Sequence, residues 1–513
     1  MKFNLLEVYD SIAEIESTFD VDALELDGVN VWIPLRGMML IKPFVDHRGH
    51  TYREVLGDQA LVKPMSAGRP MPELGPDEVD VEFRQAGGMT CFRTSAADVP
   101  ADLDLLFFHA FQDYGESDGQ GCYNRIADSV LELYGKPERC AKLVRATPDS
   151  LRARFTHTPW RYAQEMNGGR PSPPVPGEDR LFGELEHIVA HCEERGFAIE
   201  YQPEYIRHRL RTMLWQAEQF QGLLEEWRPR VVVQSSIANT ERMAMIIAAR
   251  RAGVTSVDVE HGFMGYLSAY GRLGCVPASG WASLPDYFWV WGEESARLLR
   301  RSLGDAAAVH RPVLGGKPEQ QLAPSEVSVA SGTVPDALHR MRAETKRVAL
   351  FCWQPDMLVH EEAGSLLPSA LEAAIRADPD TLWLIRLHPR SRHVIPKVER
   401  HLAGIGHANF EVDLATNEPL SALIDFSDAV LTSYSTVAFE ANEQRRPVII
   451  IDEVGEAMME DYLERGVFSA GVDGPSLIAA LDACIGRPVE HSDYISRDPE
   501  CHRDAFRTVL GEY

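Results

Sequence analysis

Short apolar runs separated by helix-length amphipathic stretches dominate the last third of the chain. VALFCW (348–353), LWLIRL (382–387), DAVLT (428–432) and PVIII (447–451) are rich in Val, Ile and Leu, and NFEV (409–412) is a weaker fifth run. Between them, residues 365–377, 394–403, 419–425 and 435–444 read as helices. Strand, helix, strand, repeated, predicts a parallel sheet wrapped by helices. The runs are continuously apolar and do not alternate, so both sheet faces are expected to be covered.

The same rhythm occurs earlier. YIRHRLRTMLWQAEQFQGLLEEW (205–227) reads as an amphipathic helix ended by Pro229. RVVVQ (230–234) follows as a strand, 241–253 as a helix closed by Gly253, and TSVDVE (255–260) as the next strand. YFWVWG (287–292) is a further strand with a helix from Glu293, and upstream LDLLFFH (103–109) precedes a helix over 125–135. The pattern predicts an α/β fold of two Rossmann-like, doubly wound parallel-sheet domains. Residues 1–316 form the first, with a proline-rich insertion near 56–84. Residues 317–342, rich in Pro, Ser and Ala, form a linker, and 343–513 form the second.

Composition narrows the function classes. The 513 residues are 45% hydrophobic and 25% charged, with a formal net charge of −26. That length exceeds what one core serves. The acidic balance speaks against nucleic acid and against general adsorption to anionic membranes. No run of transmembrane length and no signal peptide stands out, and the eight cysteines form no CxxC pair. A cytoplasmic location is expected, the inner membrane face included, where a partner protein could hold the chain.

Against this acidic background, LWLIRLHPRSRH (382–393) is unusual: a buried-type strand breaks out into His388, Pro389, Arg390, Arg392 and His393. Ligands of open parallel sheets bind beyond the carboxyl ends of the strands. A second feature sits at such an end, where Ser433, Tyr434, Ser435 and Thr436 join strand 428–432 to a helix starting near Thr436. Hydroxyls there cap free N–H groups, and the helix start favours an anion. Glu440 lies one turn on, placed for sugar hydroxyls. Taken singly, His-Pro ends many strands and Ser-rich turns cap many helices. Together, about 45 residues apart, they point to one phosphate site, with Arg386, Arg390 or Arg392 adding charge.

LIRLHPR and SDAVLTSYSTVAFEANEQRRPVIIID resemble the nucleotide-binding domain of GT-B glycosyltransferases of surface-polysaccharide assembly. The likeness is to capsule, polysialyl and Kdo transferases and to CDP-glycerol (teichoic-acid) glycerophosphotransferases. RPRVVVQ…AARRAGVTSVDVEHGFMGYLSAYG…LPDYFWVWGEES resembles the His-Gly segment and following strand of the same group, so the resemblance spans roughly residues 205–485. It implies a GT-B-like pair of domains facing a cleft and a donor linked to CMP, CDP or UDP. The acceptor is a glycan or lipid-linked glycan. His388, Ser435 and Thr436 would hold the donor phosphate, and Glu440 would lie near ribose or base. Many relatives carry Gln where this chain has Glu260.

For the base that takes the acceptor proton, Glu260 and His261 stand at a strand's carboxyl end, and Gly262 is expected to allow a sharp turn. Asp113 and Glu116 read better as a solvated acidic loop. DLD (102–104) and DPD (378–380) precede strands, so no metal is assigned and no cofactor is expected beyond the nucleotide-sugar substrate. Rival readings are polyol-phosphate transfer, a sugar-nucleotide 2-epimerase (for which no second set of acid/base residues stands out), and a non-catalytic nucleotide-sugar-binding module.

Overall fold

The computed structural model describes residues 5–41, 82–86, 89–93, 102–109, 115–117, 121–145, 155–157, 159–163, 174–237, 239–264, 273–322, 334–354, 366–405 and 409–512. They fall into two units. The N-terminal unit takes Val8–Pro43, Arg69–Ser328 and Ser496–Tyr513, and the C-terminal unit contains Val329–Ile495.

The N-terminal unit is built on nine strands: β1 (Glu82–Ala86), β2 (Met89–Arg93), β3 (Leu105–His109), β4 (Cys140–Arg145), β5 (Trp160–Ala163), β6 (Val231–Gln234), β7 (Thr255–Val259), β8 (Tyr287–Val290) and β9 (Arg311–Leu314). Their order is β9-β8-β7-β6-β3-β4-β5-β2-β1. From β9 to β5 every neighbouring pair is parallel, and β2 and β1 extend the edge as an antiparallel hairpin. One face packs Leu105, Phe107, Val231, Val233, Val257 and Trp289. Helices Pro203–Trp227 and Thr240–Ala252 pack on each other. Ile206, Leu210, Met213, Ala217, Phe220 and Leu224 are buried at helical spacing on the first. Asn239 caps the second by accepting from the Glu241 N–H (2.9 Å), and Gly253 closes it at φ 68°.

In this sheet β1, β2, β4, β5 and β9 escaped the sequence pattern, and for β4 and β5 the reason is physical. β4 carries Lys142 in mid-strand, buried and paired with Asp128 at 2.5 Å; β5 carries the buried Arg161, its guanidinium 5.2 Å from the Phe155 ring. A charge inside a strand breaks an apolar run, and only a distant partner makes its burial tolerable. The expected insertion lies mostly outside the described residues, but Glu82–Ala86 at its end is strand β1.

The C-terminal unit has six strands: β10 (Arg347–Cys352), β11 (Thr381–Arg386), β12 (Phe410–Glu411), β13 (Ala429–Thr432), β14 (Val448–Ile450) and β15 (Ser469–Ala470). All are parallel, in the order β12-β11-β10-β13-β14-β15. Phe351, Trp383, Ile385, Leu431 and Ile449 pack with Leu371, Ile375, Leu477 and Leu481 from flanking helices. Leu350, Leu384 and Val430, which point the other way in the pleat, are equally buried. Both faces are covered, as the unbroken apolar runs require. The fold class is the expected one: two doubly wound α/β units, each on a largely parallel sheet.

Two segments differ from the sequence reading. Asp336–Ala343, taken as linker, is a helix anchored by the fully buried Leu338. The C-terminal helix Cys501–Leu510, taken with the second domain, packs in the N-terminal unit. Its Ala505, Phe506, Val509 and Leu510 join the cluster around Trp289, with the Phe506 and Trp289 rings 5.1 Å apart. Amphipathic spacing predicts such a helix but does not name its partner. No described helix is long and apolar enough to cross a membrane.

Candidate functional site

Numbered along the chain, the C-terminal sheet has strand order 3-2-1-4-5-6, which places its topological switch between β10 and β13. Gln354 after β10 and the turn after β13 meet at that point, with the end of β11 one strand away. Just past β10, Gln354 accepts through Oε1 from the Tyr434 N–H (3.1 Å) and, at 3.4 Å, from the Thr432 hydroxyl. Gln354 therefore ties together the two strand ends at the switch. The sequence reading passed it over; a polar residue ending an apolar strand was the available signal.

His388 is half-buried just after β11, and its carbonyl accepts from the Ser391 N–H at 2.7 Å, opening the turn Pro389–Val394. The side chains of Pro389 and Arg390 lie outside the described residues. β11 and β13 flank β10 on opposite sides, so His388 and the Ser433–Thr436 turn stand about 10 Å apart in strand spacing, with Gln354 between them. Glu440 acts electrostatically on Arg386 and on Cys352 at the end of β10, and Arg392 acts on Arg386. Glu440, Arg386 and Arg392 are thus neighbours near the same strand ends.

Several candidate groups are already committed. Arg386 donates to the carbonyls of Ala415 (2.8 Å) and Glu418 (2.6 Å), which secures the loop after helix Asp413–Asn417. The buried Ser433 hydroxyl donates to Asp452 (2.6 Å), and the same carboxylate oxygen caps helix Glu453–Met458 through the Gly455 N–H. The Ser435 hydroxyl accepts from the Val437 N–H at 3.3 Å. Thr436 is the N-cap of helix Val437–Glu443, and its side chain makes no capping bond. The helix is seven residues long. With one of its first N–H groups taken by Ser435, it is a weaker anion cradle than the sequence implied. The DPD carboxylate Asp378 is bound by Arg347 and Thr381, and DLD Asp104 by Tyr134, Arg139 and Arg230.

In the N-terminal unit, Glu260 and His261 follow β7. Glu260 is 2% exposed. Its Oε2 accepts from the Trp291 N–H and the Ser295 hydroxyl, both at 2.7 Å, and its carbonyl accepts from the Trp291 indole at 2.9 Å. The carboxylate thereby fastens β7 to the start of helix Glu293–Leu303. His261 reaches solvent, yet the surrounding protein and the Arg242 charge push its pKa down to about 4, so the ring is neutral at pH 7. Gly262 is not in the left-handed region, and an added Cβ would meet open space, so the expected glycine-dependent turn is absent. Asp113 lies outside the described residues. Glu116 is on the strand Gly115–Ser117.

No family model matches the chain, and no curated protein matches it. Solved structures do. A Staphylococcus aureus MnaA structure with UDP is 13% identical, with a TM-score of 0.46 over 79% of this chain and 96% of that one. A UDP-GlcNAc 2-epimerase from Neisseria meningitidis bound to UDP-GlcNAc is 13% identical, with a TM-score of 0.47 over 80% and 100%. The wall teichoic acid polymerase TagF is 13% identical, with a TM-score of 0.41 over 81% and 89%. Likenesses of this degree assign no activity.

The N-terminal sheet also carries polar groups that the sequence reading passed over. Its parallel strands run 3-2-1-4-5-6-7, so the switch lies between β3 and β6. His109 ends β3, Gln234 ends β6, and Asp258 on β7 is the register partner of Gln234. They are 2%, 0% and 2% exposed. Both His109 ring nitrogens, both Gln234 amide atoms and Asp258 Oδ1 lack a hydrogen-bond partner. An unmade buried hydrogen bond costs about 1–3 kcal/mol. Burial, then the charges of Arg242, Lys142 and His261, holds His109 well below its usual pKa; burial holds Asp258 well above, against the pull of Arg242.

Proposed function

We propose that this chain is a glycosyltransferase that moves a sugar from a CMP-, CDP- or UDP-activated donor to a glycan or lipid-linked acceptor. The observation that supports this reading most is the C-terminal switch point. Gln354, His388, the Ser435–Thr436 turn and Glu440 surround the end of the first strand of a 3-2-1-4-5-6 sheet, with cationic Arg392 beside them. In this reading His388, Arg392 and the Thr436 hydroxyl meet the donor phosphate, and Glu440 meets ribose hydroxyls. Charge developing on the leaving phosphate is then offset by groups already in position. Of the two base candidates we favour His261, because the Glu260 carboxylate is already bound by Trp291 and Ser295.

The test is turnover by the full chain. Donors of the three nucleotide classes are incubated with a panel of glycan and lipid-linked acceptors, and free nucleotide and the fate of the sugar are both followed. The reading expects acceptor-dependent nucleotide release with the sugar on the acceptor, and a fall of about 10²-fold for His388→Ala. A product that is the same nucleotide-sugar with one inverted centre indicates an epimerase and overturns it, as does phosphate transferred together with a polyol.

A further inference from the structure

We propose that the segment Glu490–Tyr494 is a positioning strap of the donor site: through Asn442 and His491 it fixes the rotation of helix Val437–Glu443, and with it the placement of Thr436 and Glu440. The inference rests on the donor reading above and adds the residues that hold two of its groups in place.

The helix does not set its own position. It is seven residues long, and helices shorter than about 12 residues are marginal on their own. Its N-cap Thr436 makes no side-chain capping bond, and Ser435 supplies one at 3.3 Å. Thr436, Glu440 and Glu443 recur at i, i+4 and i+7 and so share one face. The buried Phe439 and Asn442 lie beside that face, toward the interior.

The strap holds that inner side at successive points. Asn442 Nδ2 donates to the Glu490 carbonyl (2.7 Å), and Asn442 Oδ1 accepts from the Ser492 N–H (2.8 Å). One buried side chain thus takes up the backbone groups on either side of His491. A carboxamide bonded at both ends has one orientation available to it. His491 Nε2 bonds the Glu443 carboxylate. Its Nδ1 edge faces Asp493, 3.2 Å from the N–H and 2.8 Å from Oδ1. The fully buried Tyr494 stacks on Phe439, with ring centroids 3.8 Å apart and planes 15° from parallel. The Tyr462 and Phe468 rings stand further from Phe439, at 5.1 and 5.6 Å. A single contact would set only the distance of the helix from its neighbours. Contacts at 439, 442 and 443, spread around one turn, set its rotation as well. His491 and Asn442 are therefore positioning residues: they act through the helix and have no need to touch the nucleotide.

Calorimetric titration of the full chain with CMP, CDP, UMP and UDP tests this on whichever of them the parent binds. His491→Ala is expected to weaken that binding about fivefold or more. His491→Gln, whose amide nitrogen stands in for Nε2 toward Glu443, should restore affinity to within about twofold of the parent. Glu443→Ala removes the same bond from the other side and should reproduce the loss. The double variant His491→Ala/Glu443→Ala should then lose no more than either single one. General destabilisation predicts the opposite, with losses that add and no rescue by Gln. The proposal fails if His491→Ala binds as tightly as the parent, if His491→Gln binds no better than His491→Ala, or if the two single losses add. A parent that binds none of the four overturns the donor reading and this proposal with it. A parent that binds while His491→Ala binds equally overturns this proposal alone.

Discussion

The Glu260 carboxylate accepts from Trp291 and Ser295 while almost fully buried. Glu260→Ala leaves both donors without a partner and should cost about 2–4 kcal/mol of stability in urea denaturation. A loss below about 1 kcal/mol would mean that the carboxylate does not fasten this loop. His261 differs: with a pKa near 4 it is deprotonated throughout the neutral range. If it is the base, the acid limb of kcat/KM falls near pH 4 and not near the ordinary histidine value. A limb near 6.5 would assign the base elsewhere. Stability carries the same signature. His109 and His261 have folded pKa values below their unfolded ones, so between about pH 6.5 and 4 the unfolded chain binds more protons and stability falls with acidification. Asp258 is shifted upward and acts with the opposite sign, its contribution being lost as pH rises. Urea melts across that range should show a smaller acid loss for His109→Gln and a larger one for Asp258→Asn than for the parent.

At the scale of elements, the turn after β13 depends on a chain of contacts reaching into the next crossover. Ser433 bonds Asp452, and Asp452 caps helix Glu453–Met458. A Cβ at Gly455 would come within 2.7 Å of the Ser433 carbonyl oxygen. Ser433→Ala should cost about 1–2 kcal/mol, because the Asp452 carboxylate loses a partner. Gly455→Ala should cost more, since backbone must move to admit it. Thermal melts of the two variants check the ranking, and an unperturbed Gly455→Ala would contradict the close approach. The strands legible in the sequence were for the most part runs of Val, Ile, Leu and aromatic residues. β4 and β5 were hidden because Lys142 and Arg161 interrupt them, and both charges are tolerable only through Asp128 and the tertiary packing around Phe155. Helix Val437–Glu443 was anticipated in place and start, as was a hydroxyl capping it, which Ser435 supplies, but its shortness was not.

On the scale of the molecule, the division into two α/β sheets could be read from hydrophobic periodicity, whereas strand order could not. Periodicity records which residues are buried and says nothing of which strand lies beside which. That is why His388, Ser435 and Glu440 were singled out, being grouped in short runs of chemistry-bearing residues. Gln354, His109, Gln234 and Asp258 were not, because a single polar residue in or just after an apolar strand becomes meaningful only once the topology places it at a switch point. The central claim is that the carboxyl edge of the C-terminal sheet binds a nucleotide. Calorimetric titration of the full chain with CMP, CDP, UMP and UDP tests it most directly. The account predicts that at least one of them binds, and that His388→Ala, folded with an unchanged Tm, binds it about tenfold or more weakly. No binding by any of the four, or equal affinity in His388→Ala, would contradict it.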